Sequence, residues 1–441
     1  MSEGVGKGAQ LTAYPSGIIE QPPPLLFVKR LLFMHTTFKN GFLKMAYRTL
    51  YIYDLGIVLL ALLGLATAPA ALAQNDTVKV LASFNRMNGE DPQGSMSLIG
   101  NTLYGITSYG GVHNAGTVFS VPITGGSPTV IANFDGKNGI DTYAGLTLNG
   151  TTLYGTGGKG GLYGYGTVFS VPVTGGDITV LASFNGVNGK FPMGGLTLHG
   201  NTLYGITVLG GGAQELGTVF SVPTQGGKIT VLASFNGTTE GRPCGDLALS
   251  GSTLYGTTSE GGIYHDGTVF SVPITGGTPT VLATFDEATG TERWGGLTLH
   301  GSTLYGTTIL GGLYGHGTVF SVPTTGGNIT VLANLDIANG QHTSGSLIMS
   351  GSTLYGTTTS SGPTIPPSGN RETVISSIYG GSVFSVPISG GTPTILATYS
   401  GGSGQYTDAY LTLIGSTLYG TSTNGGANGC GMVFSVPITG G

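Results

Sequence analysis

Leu203-Tyr204-Gly205-Ile206-Thr207, then Gly217-Thr218-Val219-Phe220-Ser221-Val222-Pro223, then Ile229-Thr230-Val231-Leu232-Ala233-Ser234-Phe235 is the stretch that decides the fold. β-Branched and aromatic residues fill its three runs, and Gly stands at each break, as short strands joined by tight reversals require. Upstream, Leu196-Thr197-Leu198 alternates, and the dipeptide His199-Gly200 is predicted to be a two-residue hairpin turn. One unit of about fifty residues therefore holds four antiparallel strands. No segment shows helical periodicity.

The unit recurs. Leu-Tyr-Gly places its Tyr at Tyr104, Tyr154, Tyr204, Tyr255, Tyr305, Tyr355 and Tyr419, and Val-Phe-Ser-Val its Phe at Phe119, Phe169, Phe220, Phe270, Phe320, Phe384 and Phe434. The third run ends at Phe84, Phe134, Phe184, Phe235, Phe285, Leu335 and Tyr399. Seven copies of four strands match a seven-bladed β-propeller, all-β, better than a parallel β-helix, whose turns are shorter. The first repeat unit opens on a lone fourth strand, Val78 to Phe84, and the last stops after its third, Val433 to Pro437. The N-terminal strand is thus predicted to complete the last blade and close the ring, leaving no open edge. The Tyr and Phe of the motifs are expected to pack between blades.

Ahead of the repeats, Lys44 and Arg48 precede an apolar stretch from Leu55 to Leu65, then Ala71-Leu72-Ala73. That order is the pattern of a secretory signal peptide cleaved before Gln74. The expected organisation is an N-terminal extension over 1–44, read as the product of a misassigned start upstream of Met45, a signal peptide over 45–73, and the propeller over 74–441. Export is expected, to the periplasm or outside the cell, with no membrane span in the mature chain because the apolar stretch is too short. Removing residues 1–73 leaves nine basic against 17 acidic residues, a net charge of −8. A chain without a basic stripe is not expected to bind nucleic acid.

The combination of Leu-Tyr-Gly-Thr-Thr, Gly-Gly, Gly-Thr-Val-Phe-Ser-Val-Pro and Val-Leu-Ala-Ser-Phe resembles the Gloeo-Verruco (GloVer) tandem repeat of secreted bacterial proteins. The resemblance covers nearly all of the mature chain. It implies a bacterial extracellular or surface protein, often with a C-terminal sorting anchor, and no established biochemical activity.

Chemistry is sparse. Cys244 and Cys430 are too few for a disulfide framework. No two of His113, His199, His265, His300 and His316 have metal-pair spacing, and Asp135-Gly136-Lys137-Asn138-Gly139 reads as a turn rather than a calcium loop. No cofactor and no metal are expected. The one position where the repeats disagree most precedes the innermost strand: Gln93, Tyr143, Met193, Cys244, Trp294, Ser344 and Asp408. Charges flank it at Glu90, Asp91, Asp141, Lys190, Arg242, Asp246, Glu292 and Arg293. Variation on a repeated scaffold is how a loop-built binding site looks. Trp294, Tyr143, Asp141, Arg242, Glu292, Arg293 and Asp408 are therefore the candidate binding residues, on the channel rim. About 14 extra residues in the sixth repeat, Ser360 to Gly380, are expected to form a loop shaping the same face. The sequence favours a monomeric, non-catalytic binding or surface-interaction propeller for a carbohydrate or a protein. Two other classes remain open: a propeller enzyme of glycan lyase, glycosidase or lactonase type, and an architectural repeat protein.

Overall fold

The computed structural model describes residues 78–237, 240–291, 295–343, 345–361, 380–399 and 410–440. These residues form seven antiparallel sheets, the blades of a seven-bladed β-propeller, and no helix occurs among them. In the third blade the strands are Thr197–His199, Thr202–Thr207, Thr218–Pro223 and Thr230–Ser234, each hydrogen-bonded to the next from the channel outward. The innermost strand varies most. It is long in the first and fourth blades, Glu90–Ile99 and Glu240–Ser250, and in the sixth it is split into Gln341–Thr343 and Ile348–Ser350, both paired with Thr353–Ser361.

The predicted hairpin turn is displaced by one residue. His199 pairs with Thr202, so the loop is Gly200-Asn201, with positive φ at Gly200 (+58°) only. That is the type II′ arrangement, in which Gly occupies the first central position. His199 and His300 consequently end strands and lie exposed.

The ring closes as the sequence predicts. Lys79–Ser83 pairs antiparallel with Met432–Pro437 and becomes the outermost strand of the seventh blade. The first and last strands of the propeller thus share one sheet.

Packing explains the motif residues. Gly205 lies opposite Phe220 on the neighbouring strand, and a Cβ there would meet the ring tip at 2.6 Å. The Phe ring lies over the backbone where a side chain would stand, which is why Gly follows Tyr in the repeat. Tyr204 in turn packs with Leu247, Leu254 and Phe270 of the next blade. Six of the seven seams also carry an aromatic pair: Phe184 meets Phe220 edge-on at 5.0 Å, and Phe84, Phe134, Phe235, Phe285 and Tyr399 meet their partners likewise. At the seam between the fifth and sixth blades the fully buried Leu335 holds that place.

Two rings of hydrogen bonds tie blade to blade. At the outer edge the Gly-Gly turn donates to the previous blade, for example Gly227 N to Leu181 O at 3.0 Å. At the inner edge a strand hydroxyl donates to the next blade's carbonyl: Ser97 to Leu146, Thr147 to Leu196, Thr197 to Leu247, Thr298 to Leu347 and Thr412 to Met96. Ala248 and Ile348 occupy the two remaining places and have no hydroxyl. The inner strands come close enough that a Cβ on Gly245 would strike the backbone of Gly295 and Gly296.

Candidate functional site

In the first six blades the segment entering the innermost strand pairs with the end of the second strand or the loop that follows it. Bridges Ile140 to Lys159, Lys190 to Leu209 and Thr291 to Leu310, and the pair Glu90 to Tyr109, put both loops on one face. Four of the flanking charges singled out from the sequence, Glu90, Asp141, Lys190 and Arg242, meet partners there. Lys159 Nζ lies 2.8 Å from Asp141 Oδ2, Lys190 Nζ 2.9 Å from Glu215, Arg242 Nη1 3.1 Å from Glu260, and Arg86 Nε 3.2 Å from Glu90. Three of these four pairs join the two loops of one blade. Much of the face's charge is therefore internally compensated.

Asp141 and Arg242 share a second property. Asp91, Asp141, Phe191, Arg242 and His342 occupy one repeat position and all have left-handed φ, between +51° and +61°. Such a backbone disfavours a β-carbon, and recurrence in five blades shows that the surrounding structure imposes it.

The rim position itself is less open than a free surface. Gln93 and Cys244 are buried, and Tyr143 and Met193 are partly buried. Arg242 is exposed. Glu292, Arg293, Trp294 and Asp408 lie outside the described residues, as do Ser344 and nearly all of the insertion at 360–380. Of the seven candidates the structure thus places Asp141, Tyr143 and Arg242. Asp141 and Tyr143 lie together in the second blade, with Arg242 two blades away.

Tyr143 is the most perturbed of these groups. Its phenol is pushed up to about 12 by burial first, then by the negative field of Asp141, by Tyr109 and by Asp91. It stays a neutral hydrogen-bond donor well past neutral pH. Tyr109 links it to a pocket of about 350 Å³ at the closure seam, lined by Glu90, Asp91, Tyr109, Asn114, Thr423, Asn424 and Gly429. Tyr109, Asn114, Thr423 and Asn424 are not among the candidates read from the sequence. Tyr109 ends the second strand of its blade and the other three come from loops that follow second strands, and the signal for them was the requirement that those loops share the rim's face.

In the channel wall, Gly195 N donates to Asp246 Oδ1, and Gly296 N donates to Ser346 Oγ. Burial holds the Asp246 carboxyl above the usual range, opposed by the Gly195 bond. The structure also brings together His316 and His342, edge-on with ring centroids 6.1 Å apart, across a seam. Among the described residues no group of three or more His, Cys, Asp and Glu side chains gathers where a metal could be held.

The Gloeobacter/Verrucomicrobia repeat family model matches residues 71–270 and 210–434. The chain belongs to the Gloeobacter/Verrucomicrobia repeat family. No curated protein matches this member of the family. Among solved structures it is similar to oligogalacturonate lyase from Vibrio parahaemolyticus, at 11% identity and TM-score 0.51, covering 83% of this chain and 92% of that one. It is also similar to a manganese complex of oligogalacturonate lyase, at 13% identity and TM-score 0.50, covering 79% and 89%. A third likeness is to the GH74 enzyme of Niastella koreensis, at 15% identity and TM-score 0.51, covering 81% of this chain and 53% of that one. At these identities the likeness establishes the propeller and nothing about activity.

Proposed function

We propose that this Gloeobacter/Verrucomicrobia repeat protein is an exported, monomeric, non-catalytic propeller that binds a carbohydrate in the closure-seam pocket. The observation that carries the reading is the composition of that pocket. Tyr109 supplies an aromatic ring that is 40% exposed, and Glu90, Asp91, Asn114, Thr423 and Asn424 supply hydrogen-bonding groups around it. An aromatic face beside several polar side chains suits a sugar, which has apolar C–H faces and a rim of hydroxyls. Pairing of Asp141, Glu215 and Glu260 with Lys159, Lys190 and Arg242 supports a binding rather than a catalytic face, since it commits those carboxylates to ion pairs. Export rests on the signal-peptide pattern over 45–73, with the mature chain beginning at Gln74.

A glycan array on the mature protein, followed by calorimetry on the best oligosaccharide, tests the proposal. Tyr109→Ala and Asn424→Ala are expected to weaken binding by about tenfold or more, the size of one lost stacking or hydrogen-bonding contact in a desolvated site. Tyr143→Phe, which lies outside the pocket's lining, is expected to have a smaller effect. Undiminished binding by the Tyr109 and Asn424 variants would remove the pocket from consideration. Retention of binding to a surface protein but to no glycan would replace the ligand class, and accumulation of cleaved oligosaccharide would make the protein an enzyme.

A further inference from the structure

Glu240 breaks the repeat. Where it stands, the equivalent residues are Gly89, Gly139, Gly189, Gly290 and Gly340, each with positive φ and each packed on a threonine of the second strand or within the same turn. A β-carbon at Gly189 or Gly290 would collide with Thr207 or Thr308. Glu240 has no such backbone; it is drawn into the long innermost strand of the fourth blade, opposite Gly261. Its side chain is only 2% exposed, and its Oε2 is buried without a hydrogen-bond partner.

Glu240 is one of the residues lining a pocket of about 400 Å³ at the seam between the third and fourth blades. The other walls are Val231 to Ser234 of the outermost strand of the third blade, Asn236, and Gly277, Thr278 and Pro279 of the next blade's turn. An ionised carboxylate oxygen removed from water without a donor is costly, and its natural complement is a positive charge. None of the four ion pairs of the described residues includes Glu240. A bare metal ion fits poorly, because Glu240 is the one carboxylate in the lining and the pocket has room for a group of side-chain size. Val231, Ala233 and Pro279 provide apolar surface along which a short alkyl stem can lie.

We propose that this pocket takes an alkylammonium or alkylguanidinium group, its charged head drawn by the Glu240 carboxylate and its stem against Val231, Ala233 and Pro279. The site goes beyond the carbohydrate pocket and lies at a different seam, so either can fail without the other. Lysine and arginine side chains of a protein carry this chemistry, and so do free amines.

Calorimetry on the mature protein tests it, with butylammonium and agmatine as cations, n-butanol as the neutral control, calcium chloride as the metal, and Nα-acetyl-lysine N-methylamide as the protein-borne form. The expected result is saturable binding of both cations, none of butanol, and a loss of about tenfold or more in Glu240→Gln, the scale of one charge-assisted hydrogen bond. Glu240→Gly, which restores the residue of the other blades, keeps the test valid if the Gln variant does not fold. Binding of the lysine amide as tightly as butylammonium assigns the site to a protein side chain, and much weaker binding assigns it to a free amine. Cation binding unchanged in both variants, binding of calcium alone, or binding of no cation overturns the proposal.

Discussion

The hydroxyl of Thr412 donates to the carbonyl of Met96 at 2.7 Å, across 316 positions of the chain, and joins the seventh blade to the first at the channel wall. It is the same bond that Thr197 makes to Leu247 within the run of the repeats. Closure thus uses the ordinary blade-to-blade contact rather than a special device. A net hydrogen bond of this kind contributes about 1 kcal/mol, and leaving a buried carbonyl unpaired costs somewhat more. Thr412→Val is therefore expected to lower stability by about 1–2 kcal/mol. Ala248→Ser, which supplies a missing hydroxyl at the equivalent place, is expected to raise it by about 0.5–1 kcal/mol. Chemical denaturation of both variants decides the matter, and a neutral effect of Thr412→Val would show that the inner ring contributes nothing.

The outermost strand of the seventh blade makes a stronger claim. Lys79–Ser83 pairs with Met432–Pro437, and Phe84 packs edge-on against Phe119 at 4.8 Å, so the segment supplies both a ladder and a seam. Deleting residues 74–84 is expected to lower the melting temperature far more than cutting an exposed loop such as Leu162-Tyr163, because it bares a sheet edge and empties a core position. Equal losses in the two proteins would contradict non-covalent closure. A synthetic peptide spanning 78–84 is expected to recover part of the loss.

The fold was legible because its determinants are local and repeated: Gly at the reversals, alternation in the strands, and an invariant Phe over an invariant Gly. One detail was not. His199-Gly200 reads as the turn dipeptide, yet the loop is Gly200-Asn201, since composition marks the glycine without saying which side of it the strand ends. The face's charges were legible as a cluster but not as pairs. Lys190 and Glu215 are 25 residues apart, and only the blade's geometry brings them to 2.9 Å. The left-handed backbone at Asp141 and Arg242 has no signature in those residue types. Glu240 did have one, a glutamate in a column of glycines, which becomes visible when the repeats are aligned on their exceptions.

Gly205 and Phe220 give a sharp packing test. A Cβ at Gly205 would lie 2.6 Å from the ring tip, which is held on its other side by Phe184 at 5.0 Å. Overpacking of a filled core costs about 1–3 kcal/mol. Gly205→Ala is therefore expected to destabilise the protein by that amount, although alanine is otherwise the milder backbone residue. Combining it with Phe220→Leu is expected to cost less than the sum of the two single changes, because the shortened side chain vacates the contact. Strict additivity in a double-mutant cycle would mean that the ring does not impose the glycine.

Asp246 yields a pH dependence whose sign can be worked out. Burial raises its carboxyl above the unfolded value, so the folded state holds the proton more tightly than the unfolded chain does. Its contribution to stability is then fully present below the unfolded carboxyl range and is lost as the pH rises through the folded value. The charged form has one backbone donor in the channel wall, Gly195 N–H. Asparagine keeps an oxygen for that donor and removes the charge. Asp246→Asn is therefore expected to melt at or above the wild-type temperature at pH 7, with the advantage shrinking as the pH falls through the raised folded value and gone below about 4, where the carboxyl is protonated in both the folded and the unfolded chain. Asp246→Ala, which leaves Gly195 N–H without that acceptor, is expected to melt lower than the Asn variant at both pH values. Melting curves of the three proteins across that range are the measurement. A wild type more stable than Asp246→Asn at pH 7, with the difference vanishing in acid, would mean that the charge is stabilised in the wall and that the direction assigned to this carboxyl is wrong.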